Sequence, residues 1–311
     1  MTSIITNTSA MNALSALREV NDNMATTQDR ISSGLKVGSA KDNAAYFQIS
    51  ETMKGDSSAY ASINEGLTLT KNSVATARLG SETIQDLAQQ FLDKVAFAQG
   101  AAGGQTEIEN DLKELVKQME TTLSQSTFNG DDLLSAGTYA SVTAAAIDAT
   151  DGSETTAAAN AGTVSTDRSV VTGITRAGGT YATTDIAVGA YDMASLVGSF
   201  AGVASGFATA AETAATGEAF LAGVLATTEG YLTSVTDIAT KLGQSEKSIE
   251  NQQEFLNKLT DNIDSGVGSM IDADMEEEAA RLQALQTQQQ LATQSLSIAN
   301  QAPSNVLSLF Q

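Results

Sequence analysis

Thr228, Val235, Leu242, Ile249, Leu256, Ile263 and Met270 stand seven residues apart, and a second row, Tyr231, Ile238, Ser245, Gln252, Leu259 and Gly266, runs between them. Apolar residues that dominate one row and recur in the other over six heptads form a coiled-coil seam. The only proline of the chain, Pro303, lies past the end of this stretch, so no proline breaks the helix. At ~1.5 Å per residue a helix over 228–270 is about 64 Å long. A compact domain cannot cover a stripe of that length, which requires an equally long partner.

The partner lies at the other end of the chain. From Ile49 the same beat reads Ile49, Asp56, Ile63, Thr70, Ala77, Ile84 and Phe91, with Met53, Tyr60, Leu67, Val74, Ser81, Ala88 and Val95 as its second row. Its predicted length is about 70 Å. Two matched rods, one from each end, predict a mainly α fold: an elongated antiparallel coiled-coil-like bundle with both termini at one end. The expected intrachain seam is carried by Ile49, Met53, Ile63, Leu67, Ile84 and Phe91 on the first rod. Leu242, Ile249, Leu256 and Ile263 carry it on the second. Each fully buried Leu, Ile or Met on such a seam contributes roughly 1.5–3 kcal/mol.

Beyond the rods the beat continues weakly. Ala10, Leu17, Met24 and Ile31 form one row near the N-terminus, with Ala13, Val20 and Thr27 beside it. Met275, Leu282, Gln289 and Leu296 form the C-terminal counterpart, with Ile271, Glu278, Leu285, Ala292 and Ala299. Both ends are helical by pattern yet have too few bulky residues to stand as a two-helix unit in water. They therefore need neighbours from other molecules, and segments of this kind order on assembly. The candidate subunit-interface residues are Leu14, Leu17, Met24, Ile31, Leu35, Leu282, Leu285, Leu296, Val306 and Leu307. Residues 1–9 are polar and expected to be disordered or only marginally helical.

Glycines mark the divisions. Ser32–Ser39 holds Gly34 and Gly38 as helix stops, and Gly100–Gly104 is a second break. Ile108, Leu112, Leu115, Met119 and Leu123 then predict a shorter helix folding back on the rods. Asn129-Gly130 is a turn signal. Residues 138–225 are rich in Ala, Thr, Ser and Gly, with β-like runs at 169–176 and 183–191 and an Ala-rich helical stretch after them. They read as a separate, outward-facing, mixed α/β insertion. Three parts result: residues 1–45 with 268–311, residues 46–137 with 226–267, and residues 138–225.

Composition excludes several functions. The formal charge is −21, which disfavours nucleic acid and anionic membranes as partners. The chain has no cysteine and no histidine, so disulfides, thiolate chemistry, most transition-metal sites and the common nucleophile–His arrangements are absent. No cofactor or metal is expected. Met1-Thr-Ser-Ile-Ile-Thr-Asn7 lacks a basic and then an apolar region, so no cleaved secretory signal is expected. Gly198, Gly202 and Gly206 match a membrane-helix packing motif. Ser199, Ser205 and Thr209 interrupt the stretch, and close packing inside a soluble domain is preferred over membrane insertion. Asp272, Asp274, Glu276, Glu277 and Glu278 read as a solvated helix N-terminal turn favoured by the helix dipole. The alternative is an intersubunit contact with Arg18, Arg30, Lys36 or Lys41. Asn7-Thr-Ser9 matches an unspecific glycosylation sequon. The glutamines at 283, 286, 288, 289, 290 and 294 fit either interhelical hydrogen bonds or a polar surface.

Several runs resemble bacterial flagellins: Asn12-Ala-Leu14, Gln28-Asp-Arg-Ile-Ser-Ser-Gly-Leu-Lys36 and Ser39-Ala-Lys-Asp-Asn-Ala-Ala45 near the start, then Thr127-Phe-Asn-Gly130. Ile271-Asp-Ala-Asp274 and the ending Ala299–Gln311 are similar to the family's C-terminal signature. The resemblance covers about the first 135 and last 85 residues. It implies a non-enzymatic subunit that polymerises into the helical filament of the bacterial flagellum. It also implies terminal helices in an inner domain lining a channel, export without a cleaved signal, and contacts with a filament cap, hook-junction proteins and an export chaperone. Enteric-type members carry Arg-x-Arg-Glu-Leu-Ala on the first rod, where this chain has Thr83-Ile-Gln-Asp-Leu-Ala88. The rival readings are a hook–filament junction protein and a secreted adhesin on a helical stalk.

Overall fold

The computed structural model describes residues 7–101, 103–134, 142–160, 167–175, 182–213 and 215–307, with side chains to Gln301. Among the described residues the helices are α1 (Thr8–Ser33), α2 (Ala44–Gly100), α3 (Gln105–Gln125), α4 (Met193–Ala204), α5 (Phe207–Ala211), α6 (Gly217–Ile271) and α7 (Met275–Leu307). Among the described residues six short strands lie between α3 and α4: β1 (Val142–Thr143), β2 (Ala146–Ile147), β3 (Glu154–Thr156), β4 (Ala159–Asn160), β5 (Arg168–Thr175) and β6 (Ala182–Val188). They form three antiparallel pairs, β1–β4, β2–β3 and β5–β6. No helix among the described residues is long and apolar enough to cross a membrane. The chain divides into two compact units, Tyr60–Lys258 and Met1–Ala59 with Leu259–Gln311.

In the unit spanning Tyr60–Lys258, α2 and α6 run antiparallel, as the cross-helix contacts fix. Asn64 Nδ2 donates to Asn257 Oδ1 (2.7 Å), Lys71 pairs with Glu250 (2.9 Å), and Arg78 Nε pairs with Glu246 (2.7 Å). Between them Leu67, Ile84, Phe91, Leu242, Ile249 and Leu256 are buried. Gly104, at φ 83, reverses the chain into α3, whose Ile108, Leu112, Leu115, Met119 and Leu123 are buried against the rods. Asn129 and Gly130 then form a two-residue turn with φ 51 and 80. Positive φ at both central positions is the hairpin geometry that Asn-Gly favours. Phe128 and Asp131 exchange backbone hydrogen bonds across it (3.0 and 2.8 Å). Asp131 anchors the turn by accepting from Ser73 and pairing with Arg168.

The described part of residues 138–225, expected as a separate insertion, shares its core with the rods. Phe200 of α4 packs edge-on against Phe91 of α2 (centroids 5.1 Å) and Tyr231 of α6 (5.5 Å). Met193, Val197, Phe200 and Phe207 join one continuous core with Phe91 and Leu112. The glycines of α4 explain how short strands lie on it. A Cβ on Gly198 would sit 2.5 Å from Val142 Cγ1, and one on Gly202 would sit 2.3 Å from the Ala145 carbonyl oxygen. The β5–β6 hairpin is held by Tyr60 Oη, which donates to the Ile174 carbonyl (3.0 Å), and by Gln252 Nε2, which donates to the Thr172 carbonyl (2.8 Å).

The expected seam departs from the sevenfold beat at one end of α2. Phe91, Ile84, Ala77 and Thr70 are buried, Ile63 and Asp56 half-buried, and Ile49 is 47% exposed. A straight α-helix drifts about 20° per heptad against a strict seven-residue row, so six heptads rotate the row roughly 120°. Ile49 is therefore turned out of the seam. Ser50 is buried there instead, and Met53 is half-buried with its methyl 3.4 Å from where a Cβ on Gly266 would be. Ile63 and Ile263 are half-buried in their respective units.

Candidate assembly interface

The other unit is built on α1 and α7. Asn7 caps α1: its side-chain oxygen accepts from the Ala10 N–H (3.1 Å), and its Nδ2 donates to the Ala299 carbonyl (2.8 Å). The sequon asparagine is thus engaged in the helix pair. Gln289 donates to Asn21 Oδ1 (2.7 Å), and Arg30 pairs with Glu278 (3.1 Å). These three cross-links run in opposite directions along the two helices, which are antiparallel. The described glutamines at 283, 286, 288, 290 and 294 are exposed, so Gln289 alone among the six crosses between helices.

Two linkers join this pair to α2 and α6. Gly34 ends α1 in the left-handed region (φ 73), its N–H donating to the Arg30 carbonyl. The Lys36 N–H then donates to the Ile271 carbonyl (2.6 Å), and the Ala273 N–H to the Gly34 carbonyl (2.9 Å). Val37, Val267 and Ile271 are buried beneath, with Leu35, Phe47, Met53 and Ile263 packed around them. Asn43 caps α2 by accepting from the Ala45 and Tyr46 N–H groups. Asp274 caps α7 by accepting from Glu276 and Glu277, so the acidic run is a capped first turn that suits the helix dipole. Its last member differs. Glu278 is 5% exposed and holds Arg30 of its own chain, while its Oε2 has no hydrogen-bond partner.

The candidate interface residues fall into distinct places. Leu285 is buried between the helices, and Leu17, Met24, Ile31, Leu282 and Leu296 are half-buried along the same contact. Leu35 belongs to the linker cluster, and Leu14 is 38% exposed at the flank. The side chains of Val306 and Leu307 lie outside the described residues. Sequence reading missed Met11, Leu291 and Ile298, which are 63%, 57% and 70% exposed. Leu291 and Ile298 are seven apart on the side of α7 turned away from α1, a third row masked by the two inward ones. The pair thus carries apolar side chains on its outer as well as its inner faces. Exposed apolar rows of this kind mark interaction surfaces.

These features define a class: a mainly α-helical subunit that pairs both of its chain ends and leaves apolar rows uncovered. Residues 4–138 match the bacterial flagellin N-terminal helical region, and residues 225–310 match the bacterial flagellin C-terminal helical region. The chain is 36% identical to Flagellin C of Rhizobium meliloti (strain 1021) over 321 aligned positions, covering all of both chains. It is 35% identical to Flagellin of Brucella melitensis over 312 positions and 33% identical to Flagellin A of Rhizobium meliloti (strain 1021) over 396, again covering all of each chain. The chain belongs to the bacterial flagellin family, and it is a structural subunit of the extracellular flagellar filament.

Proposed function

We propose that the α1–α7 pair is the polymerisation element of this filament subunit and that it completes its ordering when neighbouring copies cover it. One observation carries the reading: Met11, Leu14, Leu291 and Ile298 are exposed on a pair that buries little within its own chain. Covering such side chains contributes up to roughly 1.5–3 kcal/mol each. That is the free energy the pair lacks alone. In this reading Leu17, Met24, Ile31, Leu35, Leu282, Leu285 and Leu296 hold the inner contact, and Val306 and Leu307 extend it. Residues 1–45 with 268–311 form the inner part of the filament, residues 46–137 with 226–267 the rod, and residues 138–225 face outward.

The same reading places the export chaperone on the C-terminal helix, the cap and hook-junction proteins at the filament ends, and export without a cleaved signal peptide. It assigns no catalysis to a chain that has neither histidine nor cysteine. The test is negative-stain microscopy of the full chain seeded with short filament fragments, beside a version covering residues 46–267. Filaments from the full chain alone are expected. Filaments from both would remove the terminal pair from its role, and growth from neither would favour a junction protein.

A further inference from the structure

A homopolymer of chains with 37 acidic and 16 basic residues brings like charges together. Local contacts must offset that repulsion. Most described cations are already engaged within the chain, as Arg30 is with Glu278, Arg78 with Glu246 and Lys94 with Asp111. Lys241 lies over the Tyr191 ring. Among the described residues, Arg18, Lys36, Lys41 and Lys117 have no such partner. Two of these four fall in one short linker.

That linker borders a cleft of about 300 Å³ lined by Arg30, Lys36, Asp42, Tyr46, Ser269 and Asp272, among others. Its charged groups are not equivalent. Arg30 is held by Glu278, and Asp42 accepts from the N–H groups of Gly38 (3.1 Å) and Ser39 (2.9 Å). Lys36 is exposed, and Lys41, also exposed, is the residue before Asp42. Tyr46 and Ile49, one turn apart on α2, are 48% and 47% exposed. The cleft has one uncommitted cation, Lys36, and one uncovered aromatic, Tyr46, on its lining. A second such cation, Lys41, lies in the same linker and the exposed Ile49 one turn along α2, the make-up of a contact centre with a charged rim.

We propose that this cleft, where the two linkers meet, is a docking surface for a second copy of the chain. Lys36 and Lys41 receive carboxylates of that copy, and Tyr46 and Ile49 are covered by it. The inference rests on the filament-subunit reading and adds a contact distinct from the α1–α7 pair. Charge complementarity selects the occupant: the strongly acidic partner that the established function supplies in quantity is another copy. It also explains why these cations are left unpaired within the chain.

The test is the critical concentration for seeded elongation of the full chain, measured at low and high salt. Lys36→Gln and Lys41→Gln together are expected to raise it roughly three- to tenfold at low salt. The gap should narrow near 1 M salt, where the screening length falls to about 3 Å. Lys117→Gln, the same charge change in the other unit, should raise it less than twofold. Circular dichroism and the melting temperature of each variant should match wild type, since these side chains hold no carboxylate of their own chain. Normal elongation of the double variant would overturn the proposal, as would an equal shift from Lys117→Gln. If the wild-type chain itself fails to elongate, the terminal-pair reading falls and takes this one with it.

Discussion

The two compact units use helices of similar make-up to opposite ends. Tyr60–Lys258 buries Phe91, Phe200, Phe207, Met119 and Met193 completely. Among its described residues the unit holding both termini buries only Val37, Val267, Ile271 and Leu285 of its larger apolar side chains, beside the polar Thr27, Ser50 and Glu278, and leaves Met11, Leu291 and Ile298 in solvent. Apolar burial is the main favourable term in folding. The first unit therefore draws more of its stability from its own apolar core than the second does.

The largest expected effect that probes this contrast is at Phe200. Phe200→Ala should cost about 3–5 kcal/mol, read as a lower urea midpoint at unchanged slope. Leu291→Ala, in contrast, should leave the midpoint within about 0.5 kcal/mol of wild type and impair seeded elongation. Equal stability losses at the two positions would erase the distinction. Next is the ion pair in the terminal unit. Arg30→Ala strands a buried carboxylate, a change worth about 3 kcal/mol when no other cation is near. Arg281, 3.8 Å from the same Glu278 oxygen, should reduce the loss, and Arg30→Ala with Arg281→Ala should exceed the sum of the single changes.

Two glycines sharpen the contrast in packing. Gly202→Ala forces a Cβ toward the Ala145 carbonyl and should destabilise by about 1–3 kcal/mol. Gly230→Ala, inside α6 with open space around it, should stabilise by about 0.8–1 kcal/mol. Thermal melts of the pair should move in opposite directions. The smallest effect is at Glu109, which pairs with Lys113 and accepts the Ala208 N–H (2.8 Å). The Lys113 contact, and then that N–H, hold its carboxyl below the ordinary glutamate value despite opposing desolvation. A lowered folded-state value means that its contribution is full above the unfolded value and is lost as pH falls through the folded one. Glu109→Gln should flatten the stability decline below about pH 4.5. An unchanged acid limb would show that Glu109 contributes nothing there.

The rods were legible because a seam repeats. Leu67, Ile84, Phe91, Leu242, Ile249 and Leu256 occupy the buried positions that spacing alone assigns. The same regularity misled at Ile49, where a fixed period outran the true pitch of the helix. The core of the insert was not legible, because Phe200 meets Phe91 and Tyr231 only through long-range packing that leaves no local period. On the α1–α7 pair the inward rows could be read, as could the acidic first turn of α7. The outer row at Leu291 and Ile298 was hidden by the assumption that a helix has one apolar face. The Arg30–Glu278 pair joins residues 248 apart, and nothing in the spacing of either announces the other.

The contact between Asn7 and Ala299 closes a loop of 292 residues, whereas the Lys94–Asp111 contact closes one of 17. By loop-closure entropy the longer loop costs about 2–3 kcal/mol more to form from an open chain. Contacts of such high order form late, after local hairpins have shortened the effective path. The terminal pair is therefore among the last contacts of the chain to close. The helix α1 meets its mate only after the chain between them has collapsed and brought α7 back to it.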